Sequence, residues 1–120
     1  MAKQKTRAKK QSLEKYRETL LDRRSFLIKD IREMEKTVAA TPPKSPEDDK
    51  SFEREILFGL IESQEAAIRD IDKALRRIKD GTFGICSVCG KAINKKRLKA
   101  KPSSELCLKC RMKYEEEIYG

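Results

Sequence analysis

Two closely spaced cysteine pairs constrain this chain more than any other feature of its sequence. The pairs are Cys86 with Cys89 and Cys107 with Cys110, and 17 residues separate one pair from the other. This spacing is typical of a site in which four thiolates bind one zinc ion. Two residues between thiols allow a tight backbone turn to aim both sulfurs at one ion about 2.3 Å away. Four sulfurs complete a tetrahedral shell, so we expect one structural Zn²⁺ with no open position for substrate.

Other uses of cysteine fit the sequence less well. Disulfides form in oxidising compartments, and no apolar segment follows the basic N-terminus as it would in a secretory signal. A dithiol redox centre has one Cys-x-x-Cys beside a β/α pattern, whereas this chain has two such motifs and no such pattern. We therefore expect a zinc protein of the cytoplasm. No apolar run approaches the ~18 residues that a membrane-spanning helix needs.

Apolar residues recur at helical spacing in two long stretches before the cysteines. The first stripe consists of Leu13, Tyr16, Leu20, Leu27, Ile31, Met34 and Val38. The second stripe consists of Leu57, Ile61, Gln64, Ile68, Ile71, Leu75 and Ile78. Steps of three and four residues are typical of helices that pack along a seam, as in a coiled coil.

A proline-rich connection separates the two stripes. Three prolines fall within residues 42–46, where they end the first helix because they remove backbone donors. Ser45 and Pro46 have the residue types of a cap and first position, so they predict the start of the second helix. Asp80 and Gly81 predict its end. Because closing so short a loop costs little, we expect an antiparallel intrachain hairpin rather than pairing with another chain, and hence a monomer.

The net charge of +9 is concentrated at the two ends of the chain. Residues 1–10 carry +5 and residues 82–113 carry +8, which leaves −4 on the remainder. Zinc with four thiolates would reduce the second value to about +6. Basic clusters favour polyanionic partners, so direct nucleic-acid binding is one interpretation. An enzyme is not expected, because the chain has no histidine, no recognisable nucleophile and base, and a saturated metal.

A longer motif surrounds the cysteines. Residues 80–90 read Asp-Gly-Thr-Phe-Gly-Ile-Cys-Ser-Val-Cys-Gly, and Arg97-Leu98 and Ala100-Lys-Pro102 precede the second pair. With the hairpin before it, this sequence resembles the DksA/TraR family of bacterial C4-zinc-finger transcription regulators. The resemblance is dense over residues 70–113 and extends through the hairpin to residue 12.

The resemblance implies a regulator that binds RNA polymerase rather than promoter DNA. The finger would dock at the rim of the secondary channel, and the coiled-coil tip would insert toward the active site. The tip acids are Glu47, Asp48 and Asp49, of which Asp48 matches the second acid of the family's tip motif. Many members act with guanosine tetraphosphate, and Lys101 and Arg111 match basic positions that contact it.

Together these observations predict a mainly α chain in three parts. We expect a basic flexible tail at 1–11 and an antiparallel coiled-coil hairpin at 12–80 with its tip at about 39–50. A C4 zinc finger with a C-terminal helix would follow at 81–120, its last helix capped by residues 103–105. The polymerase-binding regulator is the first functional interpretation, and a direct nucleic-acid-binding zinc-finger protein is the alternative.

Overall fold

Helices account for most of the chain. The computed structural model describes residues 10–40, 42, 45, 47 and 49–119. Its helices are α1 (Lys10–Ala40), α2 (Asp49–Asp80), α3 (Lys95–Ala100) and α4 (Leu108–Tyr119). The tail was expected at residues 1–11, but the first helix already begins at Lys10. Residues 1–9 of that tail, like Asp48 of the tip, lie outside the described residues. None of the helices described is long and apolar enough to cross a membrane.

The two apolar stripes form the inner faces of α1 and α2. Every residue of both stripes is buried or half-buried, including Leu20, Ile31 and Val38 on α1 and Ile61 and Ile71 on α2. The periodicity therefore identified the packed faces of both helices, because residues three and four apart lie on one side of a helix.

The chain divides into two compact units, one of which spans Asp22–Arg69. Within this unit, the Arg54 guanidinium donates a 2.6 Å hydrogen bond to the carbonyl oxygen of Val38. The Gln64 amide donates a 2.7 Å hydrogen bond to Oδ2 of Asp30, farther from the connection. Arg54 and Val38 are 16 positions apart in sequence, and Gln64 and Asp30 are 34 positions apart. A separation that grows with distance from the turn is the pattern of two antiparallel helices. The predicted helical hairpin is therefore confirmed.

The connection at the tip differs in one detail from the expectation. Residue Ser45 lies in a bend, Glu47 lies in a turn, and α2 begins only at Asp49. The helix therefore starts three residues later than Pro46, because the chain reversal includes Glu47. Asp49 occupies the first turn, where a carboxylate interacts favourably with the helix dipole.

The end of α2 follows the prediction. The Gly81 amide donates to the Ile78 carbonyl at 3.4 Å, and the Thr82 amide donates to the Arg77 carbonyl at 2.9 Å. Gly81 has a φ of +82°, which an L side chain rarely adopts. These two hydrogen bonds form a Schellman motif, so Gly81 ends the helix and turns the chain toward the cysteines.

The second unit contains the described residues up to Leu21 together with those from Asp70 onward. It holds α3, α4 and an isolated antiparallel bridge between Ile85 and Ala92. The helix α3 was not predicted from the sequence. The Asn94 side chain caps it by accepting a 2.8 Å hydrogen bond from the Lys96 amide.

Candidate metal centre

The four cysteine sulfurs converge on one point of the second unit. All four Sγ atoms lie within 4.8 Å of one another. The Sγ atoms of Cys89 and Cys107 are 3.8 Å apart. A tetrahedral zinc ion with Zn–S distances of about 2.3 Å separates its ligands by about 3.8 Å. The donor set and its spacing therefore fit one Zn²⁺ bound by four thiolates.

The first cysteine pair is shaped by a tight turn. The Gly90 amide donates a 3.0 Å hydrogen bond to the Cys86 carbonyl, and Gly90 has a φ of +75°. The Cys86 amide in turn donates to the Lys91 carbonyl at 2.8 Å. Glycine is required here because the turn passes through the left-handed region. The result directs Cys86 and Cys89 to the same side of the chain.

The second pair lies at the beginning of α4. The Arg111 amide donates to the Cys107 carbonyl at 2.9 Å, which places Cys107 at the helix entry and Cys110 in its first turn. The expectation that residues 103–105 cap the last helix was wrong. Ser104 instead donates through its hydroxyl to the Lys101 carbonyl at 2.6 Å, in a turn that follows α3.

Two hydrogen bonds of Ser87 join the segments that carry the two pairs, and a third bond attaches α3 to the second segment. The Ser87 amide donates to the Glu105 carbonyl at 3.1 Å, and the Ser87 hydroxyl lies 3.3 Å from the Glu105 carboxylate. The Arg97 Nε donates to the Leu106 carbonyl at 3.1 Å. Arg97 belongs to the Arg-Leu motif in the sequence, and its role is to fix the approach to Cys107.

A small apolar core supports the site. Cys86, Ile93 and Leu98 are buried together, and Tyr16 and Phe83 pack against them. The Tyr16 and Phe83 rings lie 5.2 Å apart between centroids and are tilted by 47°. The sequence placed Tyr16 in the helical stripe but gave no sign that the beginning of α1 contributes to the core of the finger.

Hydrogen bonds set the protonation of the thiols. Burial opposes ionisation of Cys86, but backbone hydrogen bonds from Cys107, Cys89 and Val88 outweigh it and lower the pKa of this thiol to about 6. A backbone hydrogen bond from Cys110 likewise lowers the pKa of Cys107. The hydrogen bond from Cys110 to the Cys107 sulfur raises the pKa of Cys110 to about 12. Zinc binds thiolates, so its binding would displace the proton that Cys110 shares with the Cys107 sulfur.

The other candidate residues that the structure describes are not members of the four-sulfur cluster. Glu47 and Asp49 are exposed in the 22–69 unit, and Asp48, between them in sequence, lies outside the described residues. Lys101 and Arg111 are exposed in the second unit. The Arg111 Nε donates a 3.0 Å hydrogen bond to the Glu115 carboxylate, and its guanidinium lies 5.9 Å from the centre of the Tyr114 ring.

Comparison with known proteins indicates one family, both for the cysteine-bearing segment and for most of the chain. Residues 81–116 match the prokaryotic dksA/traR C4-type zinc finger. The RNA polymerase-binding transcription factor DksA of Escherichia coli K12 is 41% identical over 44 residues, which are 37% of this chain and 29% of that protein. The matched segment thus spans less than a third of that relative's length.

Two solved structures extend the similarity beyond the finger. Transcription factor DksA2 from Pseudomonas aeruginosa has a TM-score of 0.78 over 90% of this chain and 86% of that one, and its 22% identity shows the fold alone. The DnaK suppressor protein from Agrobacterium tumefaciens C58 is 38% identical, with a TM-score of 0.56 over 82% of this chain and 90% of that one. The chain therefore belongs to the prokaryotic DksA/TraR C4-type zinc finger family, and its four cysteines are the ligand set of one structural Zn²⁺.

Proposed function

We propose that this chain is a bacterial transcription regulator that binds RNA polymerase at the secondary channel. The observation that carries the proposal is the C4 finger of the DksA/TraR family in a chain that also forms an antiparallel helical hairpin. The E. coli relative that matches this finger is named for binding RNA polymerase. In this proposal the finger docks at the rim of the channel and the hairpin enters it.

The dimensions of the 22–69 unit support this role for the hairpin. Residues 22–40 of α1 form about 28 Å of helix, at about 1.5 Å per residue. Two helices packed side by side are only about 20 Å across. A hairpin of this kind can enter a narrow channel that would exclude a thicker domain.

The acidic tip supplies the chemistry that the proposal assigns to the inserted end. Glu47 and Asp49 are exposed, and Asp48 lies between them in sequence. Carboxylates brought near a polymerase active centre would interact with its magnesium ions or with the basic residues around them. We propose that these acids alter the lifetime of the open promoter complex through such contacts.

Guanosine tetraphosphate would bind between the finger and the polymerase, with Lys101 and Arg111 as its contacts on this chain. The Lys101 side chain is exposed, and its backbone amide ends α3 by donating to the Arg97 carbonyl at 2.8 Å. Arg111 uses its Nε for Glu115, which leaves its two terminal amino groups to bind phosphate.

Transcription in vitro tests the proposal. Output from an rRNA-type promoter is measured with and without guanosine tetraphosphate for the wild type and for the tip variants Asp48→Asn and Asp49→Asn. Glu62→Gln, an exposed acid on α2, is the matched control. We expect the wild type and the control to change output equally and the tip variants to lose most of the effect. Output that is the same with and without the wild-type protein would contradict the proposal.

The same assay tests the proposed contacts to guanosine tetraphosphate, an alarmone. Lys101→Ala and Arg111→Ala should retain the effect measured without guanosine tetraphosphate and lose the additional effect that it brings. If both variants respond to the alarmone as the wild type does, these two residues are not its contacts.

A further inference from the structure

We propose that three exposed lysines of α3 form a surface that binds the phosphate backbone of duplex DNA. These residues are Lys95, Lys96 and Lys99, here called the α3 lysine face. This proposal does not depend on the proposed binding to RNA polymerase.

The helix that carries the lysines is firmly attached to the finger. Leu98 is 4% exposed in the core, and Asn94 caps the start of the helix. The Arg97 side chain donates a 3.1 Å hydrogen bond to the carbonyl oxygen of Leu106. The backbone beneath the three lysines is therefore fixed before any ligand binds, so little backbone order has to be gained on binding.

The lysine face is not neutralised by the protein itself. In the described part of the chain, none of the three ammonium groups lies within ion-pair distance of a carboxylate. The only acid within residues 82–113 is Glu105, and its carboxylate lies beside the Ser87 hydroxyl. Three unpaired cations on six residues of helix repel one another, and a polyanion would relieve that repulsion.

Zinc binding does not explain these charges. Cations near thiolates help to keep them ionised, and that role accounts for part of the basic character of the finger. The zinc site with its four thiolates carries −2, which leaves residues 82–113 at about +6. This positive charge of about +6 remains after the zinc site has been counted. The three lysines of the α3 lysine face carry half of it.

The chemistry of the face favours duplex phosphates over other nucleic-acid groups. Lysine is a compact charge that contacts phosphate, whereas base recognition commonly uses an arginine fork or an amide. Arg97, the arginine of α3, already donates to Leu106. Single strands are usually bound by aromatic platforms, and residues 91–101, which carry the lysine face, contain no aromatic residue. Duplex DNA carries one negative charge per ~1.7 Å of its helix axis. A surface of lysines can bind such phosphates without contacts to the bases.

Fluorescence anisotropy with the full-length, zinc-loaded protein and a labelled 20-base-pair duplex tests the proposal. We expect a dissociation constant of about 10⁻⁴ to 10⁻⁶ M that weakens steeply between about 50 and 200 mM salt. The triple variant Lys95→Gln/Lys96→Gln/Lys99→Gln should bind at least about tenfold more weakly. Its salt slope should be smaller by about 2.7, at about 0.9 per lost phosphate contact.

A second triple variant separates a specific surface from net charge. Lys29→Gln/Lys73→Gln/Lys79→Gln removes the same charge from exposed positions on α1 and α2 and should bind within about twofold of the wild type. The basic residues at positions 1–10 stay in every variant, so their contribution cancels. A Lys→Arg triple at 95, 96 and 99 should retain binding, because it keeps the three charges. A thermal melting curve of the Gln triple that matches the wild type shows that its loss of binding is not misfolding.

Three results would overturn the proposal. The first is equal weakening by the two Gln triples, which would mean that only net charge matters. The second is tighter binding to a single strand or an RNA duplex of the same length than to the DNA duplex. The third is the absence of DNA binding by the wild type at about 50 mM salt, where phosphate contacts are strong.

Discussion

The sulfur of Cys89 lies 3.8 Å from the sulfur of Cys107, although the two residues are 18 positions apart in the chain. The contact brings together two turns of different origin, one closed by Gly90 and the other formed at the start of α4. Among the described residues, the apolar cluster of the finger has three buried members, Cys86, Ile93 and Leu98. A finger with so small a core depends on its metal, as small domains commonly do.

Removal of one zinc ligand should destabilise the finger. Cys107→Ser is expected to lose stoichiometric zinc and to unfold at a lower temperature, because metal binding is coupled to folding. Metal analysis and thermal melting by circular dichroism measure both effects. Val88→Ser places the same side chain beside Cys89 without removing a ligand, and should retain one zinc per chain. A chelator that leaves helicity and melting unchanged would contradict the structural role of the metal.

Zinc retention should depend on pH in a direction that the thiols determine. The pKa of Cys86 is lowered from 9.0 to about 6, so its thiolate contributes stability that is fully present above pH 9 and is lost as the pH falls through 6. Because protons compete with zinc for the four thiolates, zinc release, followed with a metal-sensitive dye, should increase as the pH falls from about 9 through about 6. Zinc retention that does not change between about pH 9 and about pH 5 would contradict thiolate ligation.

The polar pair Gln64–Asp30 interrupts the apolar seam of the hairpin. Gln64 Nε2 is hydrogen-bonded to Asp30, but its Oε1 atom is buried without a partner among the described residues. Replacement of both partners, in Asp30→Leu/Gln64→Leu, should raise the free energy of unfolding by about 1 kcal/mol, because it removes a buried unsatisfied acceptor that costs about 1–3 kcal/mol and leaves no carboxylate without its donor. Gln64→Glu should lower it, since two carboxylates would face each other. Urea titrations measure both changes, and a destabilised double Leu variant would contradict this interpretation.

The sequence predicted those features that depend on periodicity and on local backbone chemistry. The heptad stripes identified the packed faces of α1 and α2, Gly81 identified the end of α2, and the cysteine spacing identified the zinc ligands. It did not predict α3, because six residues rich in lysine show no apolar period; their one buried side chain, Leu98, is fixed by tertiary contact. The predicted start of α4 was wrong, because the Ser104 hydroxyl closes a turn after α3 and does not cap α4.

Arg54 should stabilise the turn end of the hairpin. Its guanidinium donates to the Val38 carbonyl, one of the four at the end of α1 that lack helical partners, and lies 5.3 Å from the centre of the Phe58 ring. Arg54→Met should therefore lower the free energy of unfolding by about 1–2 kcal/mol. Arg69→Met, at an exposed position of the same helix, should change it by less than about 0.5 kcal/mol. Equal melting curves for the two variants would show that the contact does not contribute.

Direct binding to bacterial core RNA polymerase tests the central claim. The zinc-loaded chain, labelled at a cysteine introduced on the exposed face of α4, is titrated with polymerase and followed by fluorescence anisotropy. We predict a saturable one-to-one complex with a dissociation constant of about 1 μM or lower, which corresponds to about −8.2 kcal/mol. The Asp49→Asn variant should bind equally well, because the tip acts after docking. No saturable binding at about 10 μM polymerase would contradict the claim that this chain is a polymerase-binding regulator.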